Sequence, residues 1–115
     1  MTFQPDSSLE QDEVDEIVET ALDENEIVLF MKGNELMPQC GYSQRALELI
    51  GKHRNDIETV DVLESLPEFR EALSEHSGWE TIPQTYVDGE FVGGSDVLAE
   101  LDERGELETT LQAST

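Results

Sequence analysis

The stretch Pro-Gln-Cys-Gly-Tyr-Ser-Gln at 38–44 carries the chain's one cysteine, Cys40. A single thiol closes no disulfide within its own molecule, so its chemistry needs a partner from outside. Gly41 opens a stretch of helical periodicity, which puts Cys40 at a loop-to-helix junction. The N–H groups of a first helical turn, here around Tyr42 and Ser43, have no intrahelical acceptors and point toward the sulfur. That field favours thiolate over thiol, and the thiolate is both the nucleophile and the metal ligand. Lys32, just past an apolar run, brings a cation toward the same place. Position alone fits equally a cysteine buried as a small packing residue.

Ser43 stands where a C-x-x-C redox site carries its second thiol. No internal sulfur resolves a mixed disulfide, so a small thiol or another protein must do so. Metal ligation meets the same count. A 2Fe–2S cluster is usually held by four thiolates, and one chain supplies one. Two chains and two small thiols complete the set.

Two further segments offer backbone chemistry. In Thr-Ile-Pro-Gln-Thr-Tyr-Val, 81–87, Pro83 immediately precedes a strand, where its missing N–H is awkward. A cis Ile82-Pro83 bond leaves the backbone groups of Ile82 free for an extended ligand; an ordinary trans proline at a strand edge is the alternative. In Gly-Gly-Ser-Asp, 93–96, the glycines let a ligand approach the main chain. Free N–H groups at Ser95 and Asp96 suit a carboxylate, and the Asp96 side chain suits an ammonium. The alternative is a plain glycine turn with an N-cap.

The elements that position these residues are legible in outline. Val14, Ile17, Val18, Ala21 and Leu22 repeat at helical spacing, ended by Asn25. Residues 27–31, Ile-Val-Leu-Phe-Met, have the length and continuity of a strand buried on both faces. Gly33 and Pro38 punctuate a loop over 32–39, and 41–51 forms a helix that buries Ala46, Leu47 and Ile50. Residues 56–62 alternate as a half-buried strand, with Ile57 and Val60 its firmest apolar members. A helix over 65–76 follows, with Ser65 as N-cap, Pro67 in the first turn and Phe69, Ala72 and Leu73 inward. Two β-prone runs across 84–94 flank Asp88-Gly89, which suits a type I′ hairpin turn. The last helix starts near Ser95, buries Val97, Leu98 and Leu101, and stops at Gly105, with a short terminal helix over Leu107–Leu111. The order α-β-α-β-α-β-β-α implies an α/β fold whose mixed sheet carries helices on both faces. We expect a disordered leader over 1–11, one domain over 12–111 and a flexible tail over 112–115.

Composition narrows the function. At 115 residues the chain is one domain, and 37% apolar content suffices for a core. Residues 1–31 hold no Lys or Arg, unlike a secretory signal, and no apolar run approaches a membrane span. One cysteine excludes a disulfide-stapled scaffold, and a cytoplasmic domain is expected. Twenty-eight acids face six bases, a net charge of −22. Nucleic acid and anionic membrane surfaces are thereby disfavoured. The carboxylates run through the whole chain, which points to adaptation to a salty cytoplasm. At ~1 M salt the Debye length is about 3 Å, and the self-repulsion is screened.

Taken together, Leu-Phe-Met-Lys-Gly-Asn-Glu-Leu-Met-Pro-Gln-Cys-Gly-Tyr-Ser (29–43) and Gly-Trp-Glu-Thr-Ile-Pro-Gln-Thr-Tyr-Val-Asp-Gly-Glu-Phe-Val-Gly-Gly-Ser-Asp (78–96) resemble the monothiol, CGFS-type glutaredoxins of the thioredoxin superfamily. The resemblance spans about residues 12–111. It implies a thioredoxin-like fold with a central four-stranded sheet and an extra N-terminal helix, and a cis-Pro83. It also implies that Cys40 binds glutathione or holds a 2Fe–2S cluster shared by two subunits and two glutathiones. Lys32 matches the family lysine that meets the thiol's carboxylate and the sulfur. Arg70 matches an arginine on the carboxylate at the glycine end. Ile82 pairs main chain to main chain with the bound thiol, and Gly94, Ser95 and Asp96 hold its γ-glutamyl end. Gly41, Tyr42, Ser43 and Pro83 complete the implied contacts.

The chain departs from the family pattern at Tyr42 (commonly Phe), Glu80 (commonly Pro) and Ser95 (commonly Cys). Trp79 is expected as a structural plug, and His53 and His76 as exposed helix residues. Arg45, Lys52, Arg54 and Arg104 are expected as surface charges balancing nearby acids. Three functions follow. The first is an iron–sulfur carrier, monomeric without its cluster and dimeric around it, that serves acceptor or assembly proteins. The others are a thiol–disulfide oxidoreductase and a metal-free adaptor. The small thiol is glutathione, or γ-glutamylcysteine in a salt-adapted cell.

Overall fold

A computed structural model of the protein describes residues 9–112. Its elements are α1 (Gln11–Glu24), β1 (Ile27–Met31), α2 (Gly41–Gly51), β2 (Glu58–Asp61), a 3-10 turn (Leu63–Ser65), α3 (Leu66–Ser77), β3 (Gln84–Val87), β4 (Glu90–Gly93), α4 (Ser95–Glu103) and α5 (Leu107–Thr110). The strands form one sheet in the order β2-β1-β3-β4, with β1 parallel to β2 and antiparallel to β3, and β3 antiparallel to β4.

Every residue of β1 is buried because successive side chains serve opposite faces. Val28 and Phe30 join Val14, Val18, Phe69, Leu73 and Tyr86 on the α1/α3 face. Ile27, Leu29 and Met31 join Ala46, Ile50, Leu98, Leu107 and Leu111 on the face of α2, α4 and α5. This is the thioredoxin-like arrangement, with the N-terminal helix present.

The hairpin forms as expected. Val87 pairs with Glu90, and Asp88 and Gly89 take φ of 53° and 79°, the two positive values a type I′ turn needs. Asn25 ends α1, its side-chain amide donating to Ala21 O at 3.1 Å. Gly105, at φ 73°, stops α4.

Other expectations are corrected. Strand β2 is shorter than 56–62. Arg54 holds Asp56 through two hydrogen bonds before it, and the Asp61 carboxylate accepts from Leu63 N–H after it. Ile57 and Val60 are half-buried, and Val62, just beyond the strand, is the fully buried member. Ser65 stands at the N-cap position of α3 with Pro67 in the first turn, as expected, but its hydroxyl, instead of closing onto the helix, accepts from Leu9 N–H at 2.8 Å. Of the residues expected in the leader, Leu9 packs on the core, Glu10 N–H donates to Glu13, and Gln11 begins α1. Residues 1–8 and 113–115 lie outside the described residues. Ile17 and Val97 are exposed, because each helix is covered along only part of its apolar stripe.

Lys52, Arg54 and Arg104 serve as charge partners, to Asp102 (2.6 Å), Glu26 and Asp56 (2.8 and 2.6 Å), and Glu100 (2.8 Å). His53 follows α2 and is half-buried, with Nε2 3.3 Å from Asp102 on α4. His76 is an exposed residue of α3.

Candidate functional site

The loop after β1 is built to present Cys40. Gln39 N–H donates to Lys32 O at 2.9 Å, Gly33 bridges to Pro38, and Gly33 N–H donates to the Asp61 carboxylate at 3.0 Å. Gly33 has φ 89°, and a Cβ there would lie 2.5 Å from Met37 O and 2.7 Å from Gln39 N. Only glycine permits that crossing of the chain. Asn34 tightens the loop tip, its side-chain oxygen accepting from Leu36 N–H and Met37 N–H, both at 2.9 Å.

Cys40 is the N-cap residue of α2, with extended backbone, and is partly exposed. Burial pushes its thiol up, but this is outweighed by the nearby N–H groups of Ser43 and Tyr42, the Ser43 hydroxyl and the charge of Lys32, leaving it below the ordinary cysteine value. Ser43 is 0% exposed. Its Oγ accepts from Lys32 N–H at 3.0 Å, which leaves its own hydrogen for the sulfur. One buried hydroxyl thus joins the end of β1 to the start of α2.

A cleft of about 550 Å³ opens beside this junction, lined by Tyr42, Trp79, Thr81, Ile82, Pro83 and Phe91 together with residues 92–97. The Ile82-Pro83 peptide is cis. Neither backbone group of Ile82 has a partner among the described residues. Across the cleft, the chain turns from β4 into α4 at Gly93 and Gly94. A Cβ on Gly93, at φ 151°, would meet Val97 Cβ at 2.6 Å, and one on Gly94 would lie 3.0 Å from Pro83 O. The Gly94 carbonyl accepts from Leu98 N–H at 3.1 Å, so the N–H groups of the first turn, at Ser95 and Asp96, precede the helix's own hydrogen bonding. The site therefore combines a thiol whose charged form is favoured, a strand-like edge with free hydrogen-bonding groups, and a positive helix end.

The structure gathers the sequence-predicted residues in two groups. Tyr42, Ile82, Pro83, Gly94, Ser95 and Asp96 line the cleft. Cys40, Gly41, Ser43 and Lys32 form its neighbour at the start of α2, joined to the cleft through Tyr42. Arg70 lies half-buried on α3 and does not line the cleft. Lys32 and Arg70, like Arg45, are in no ion pair among the described residues, while the other three cations are.

Two side chains were misread or missed. Trp79, expected as a plug, is 59% exposed and forms the cleft lip with Tyr42, itself 65% exposed. Gly78 ends α3 in the left-handed conformation at φ 80°, and Ser77 Oγ accepts from Trp79 N–H, which turns the ring outward. Gln84 carried no signal by type or spacing; only its burial and contacts single it out. Among the described residues no group of three or more His, Cys, Asp or Glu side chains is placed to hold a metal. No helix among them is long and apolar enough to cross a membrane.

Comparison with known proteins agrees with this geometry. The glutaredoxin family profile matches residues 27–92. An uncharacterized monothiol glutaredoxin, ycf64, of Porphyra purpurea is 47% identical over 100 residues, covering 87% of this chain and 92% of its own. The solution structure of reduced poplar apo GrxS14 superposes with a TM-score of 0.73 at 38% identity, over 84% of this chain and 87% of that one. A buckwheat glutaredoxin-glutathione complex shares the fold, with a TM-score of 0.74 at 22% identity over 88% and 89% of the two chains. This chain is a member of the monothiol glutaredoxin family.

Proposed function

We propose that the protein binds a small thiol in the cleft beside Cys40 and, with a second chain and two such thiols, carries a 2Fe–2S cluster as cargo for iron–sulfur acceptor or assembly proteins. The observation that carries this reading is the stabilised, partly exposed Cys40 with a hydroxyl at the third position. One thiolate per chain leaves three of the cluster's usual four ligands to come from elsewhere. A carrier with so few ligands of its own is suited to release. The chain is then a monomer without cluster and a dimer around it.

Glutathione, or γ-glutamylcysteine, is the small thiol. The Ile82 main chain pairs with its peptide, the α4 start at Gly94, Ser95 and Asp96 holds the γ-glutamyl end, and Lys32 meets both a thiol carboxylate and the Cys40 sulfur. Gly41, Tyr42, Ser43 and Pro83 frame the contact, and Arg70 takes the carboxylate at the glycine end. The glutathione bound by the buckwheat relative and the free edge of Ile82 support this assignment. A reducing cytoplasm, rich in potassium chloride, suits both an unpaired thiol and a charge of −22.

A second reading, thiol–disulfide exchange, draws on the same lowered thiol: Cys40 thiolate attacks a mixed disulfide, its partner leaves as a thiol, and a small thiol resolves the product. Anaerobic reconstitution with iron, sulfide and glutathione separates the two. Visible absorption that requires glutathione supports the carrier. Mixed-disulfide turnover without such absorption supports the exchange enzyme, and neither leaves a metal-free adaptor.

A further inference from the structure

Gln84 opens β3 directly after Pro83 and is 1% exposed. A buried primary amide is costly unless both its ends are hydrogen-bonded. Here both are: Nε2 donates to Trp79 O at 2.8 Å, and Oε1 accepts from the Tyr86 hydroxyl at 2.8 Å. Tyr86 is buried, its ring edge-on to Phe30 with centroids 5.6 Å apart, which fixes where its hydroxyl sits. The Trp79 carbonyl can only accept, so the NH₂ end must face it, and Oε1 is left to the Tyr86 hydroxyl. The amide therefore has one orientation.

The main chain of Gln84 pairs with Phe30 in the sheet, while its side chain reaches back to the start of its own loop. The segment between them carries Thr81, Ile82 and Pro83, which form one wall of the cleft. Trp79, Glu80 and Thr81 are exposed. Among the described residues, the hydrogen bonds that hold this segment's start are those made to Trp79 by Gln84 and Ser77.

We propose that Gln84 is a positioning residue for thiol binding: its amide, held at its other end by the Tyr86 hydroxyl, staples Trp79 to the sheet and so fixes the Ile82 main chain across the cleft from the start of α4. The proposal rests on the reading of this cleft as the small-thiol site. A ligand that must touch both walls at once binds only where their separation is set beforehand, and mobility in one wall is felt directly as lost affinity.

The test compares the wild-type full chain with Q84L/Y86F, which replaces both partners together and orphans no polar atom between them. Tyr86→Phe alone, which keeps the ring and the Gln84–Trp79 bond but leaves Oε1 without its donor, is the second variant. Three quantities are read: ¹⁵N order parameters at Trp79–Ile82, glutathione affinity by calorimetry, and the alkylation rate of Cys40 by iodoacetamide. In Q84L/Y86F we expect order parameters in this segment to fall from about 0.85 toward 0.6, with β1 and β3 amides unchanged. Glutathione affinity falls about tenfold, and alkylation proceeds at the wild-type rate. Tyr86→Phe shows the same pattern, smaller.

Wild-type order parameters at Trp79–Ile82 in Q84L/Y86F, or a loosened segment with undiminished glutathione affinity, overturns the proposal. A wild type that does not bind glutathione sinks the small-thiol reading instead, and the order parameters then decide whether Gln84 is a staple at all.

Discussion

Replacing Ser43 with alanine removes one buried oxygen and two contacts that act on different quantities. Lys32 N–H loses its acceptor at 3.0 Å, and the Cys40 sulfur loses a hydroxyl donor. An N–H left without a partner costs roughly 1–3 kcal/mol when buried, and the Lys32 N–H is partly so. For a domain of this length that lowers Tm by roughly 4–12 °C, at about 4 °C per kcal/mol. The thiol, meanwhile, moves up, because a group that stabilised its charged form is gone. The two effects separate by pH. A thiol held low in the folded state adds stability above the unfolded cysteine value, and that share is lost as pH falls through the folded value. The stability gap between wild type and Ser43→Ala is therefore wider near pH ~9.5 than near pH ~6, on either side of the ordinary cysteine value of about 8.5. Melting followed by circular dichroism at both pH values, in molar KCl, measures the gap. Iodoacetamide alkylation against pH measures the thiol. A gap of the same size at both pH values together with an unmoved alkylation midpoint would refute the action of the Ser43 hydroxyl on the thiol.

Salt should raise Tm, since dilute buffer leaves 28 acids against six bases poorly screened while molar KCl shortens the Debye length to about 3 Å; melts that coincide in the two media would count against salt adaptation. Gly93→Ala should destabilise by roughly 2–5 kcal/mol in chemical denaturation, because the new Cβ meets the stiff Val97 at 2.6 Å and φ is positive; a midpoint within error of wild type would show that the β4–α4 corner yields freely. Arg70→Ala should weaken glutathione by several-fold, about 1 kcal/mol, and γ-glutamylcysteine less, since the latter lacks the terminal glycine; equal losses in calorimetry would break that division.

What the sequence revealed and what it hid follow from how local each signal is. The buried run 27–31, the Asp88-Gly89 turn, and Phe69, Ala72 and Leu73 on α3 are set by patterns within a few residues, and all stand in the structure. Cys40 at the start of α2 was legible for the same reason. Two of the misreadings are contacts between distant segments. Ser65 binds Leu9 instead of its own helix, and His53 faces Asp102, 49 positions away. Trp79, expected as a plug, is exposed. Its outward turn is decided by Gly78 and Ser77, and its anchorage by Gln84. No local periodicity reports an amide that reaches backward from a strand.

The central claim is that each chain gives iron one sulfur, that of Cys40, and takes the rest from a second chain and two small thiols. Native mass spectrometry of protein reconstituted without oxygen tests it most directly. We expect a cluster-bearing dimer that retains one glutathione per chain, absent from Cys40→Ser. A cluster of equal occupancy on Cys40→Ser, or one held without any glutathione, would contradict it.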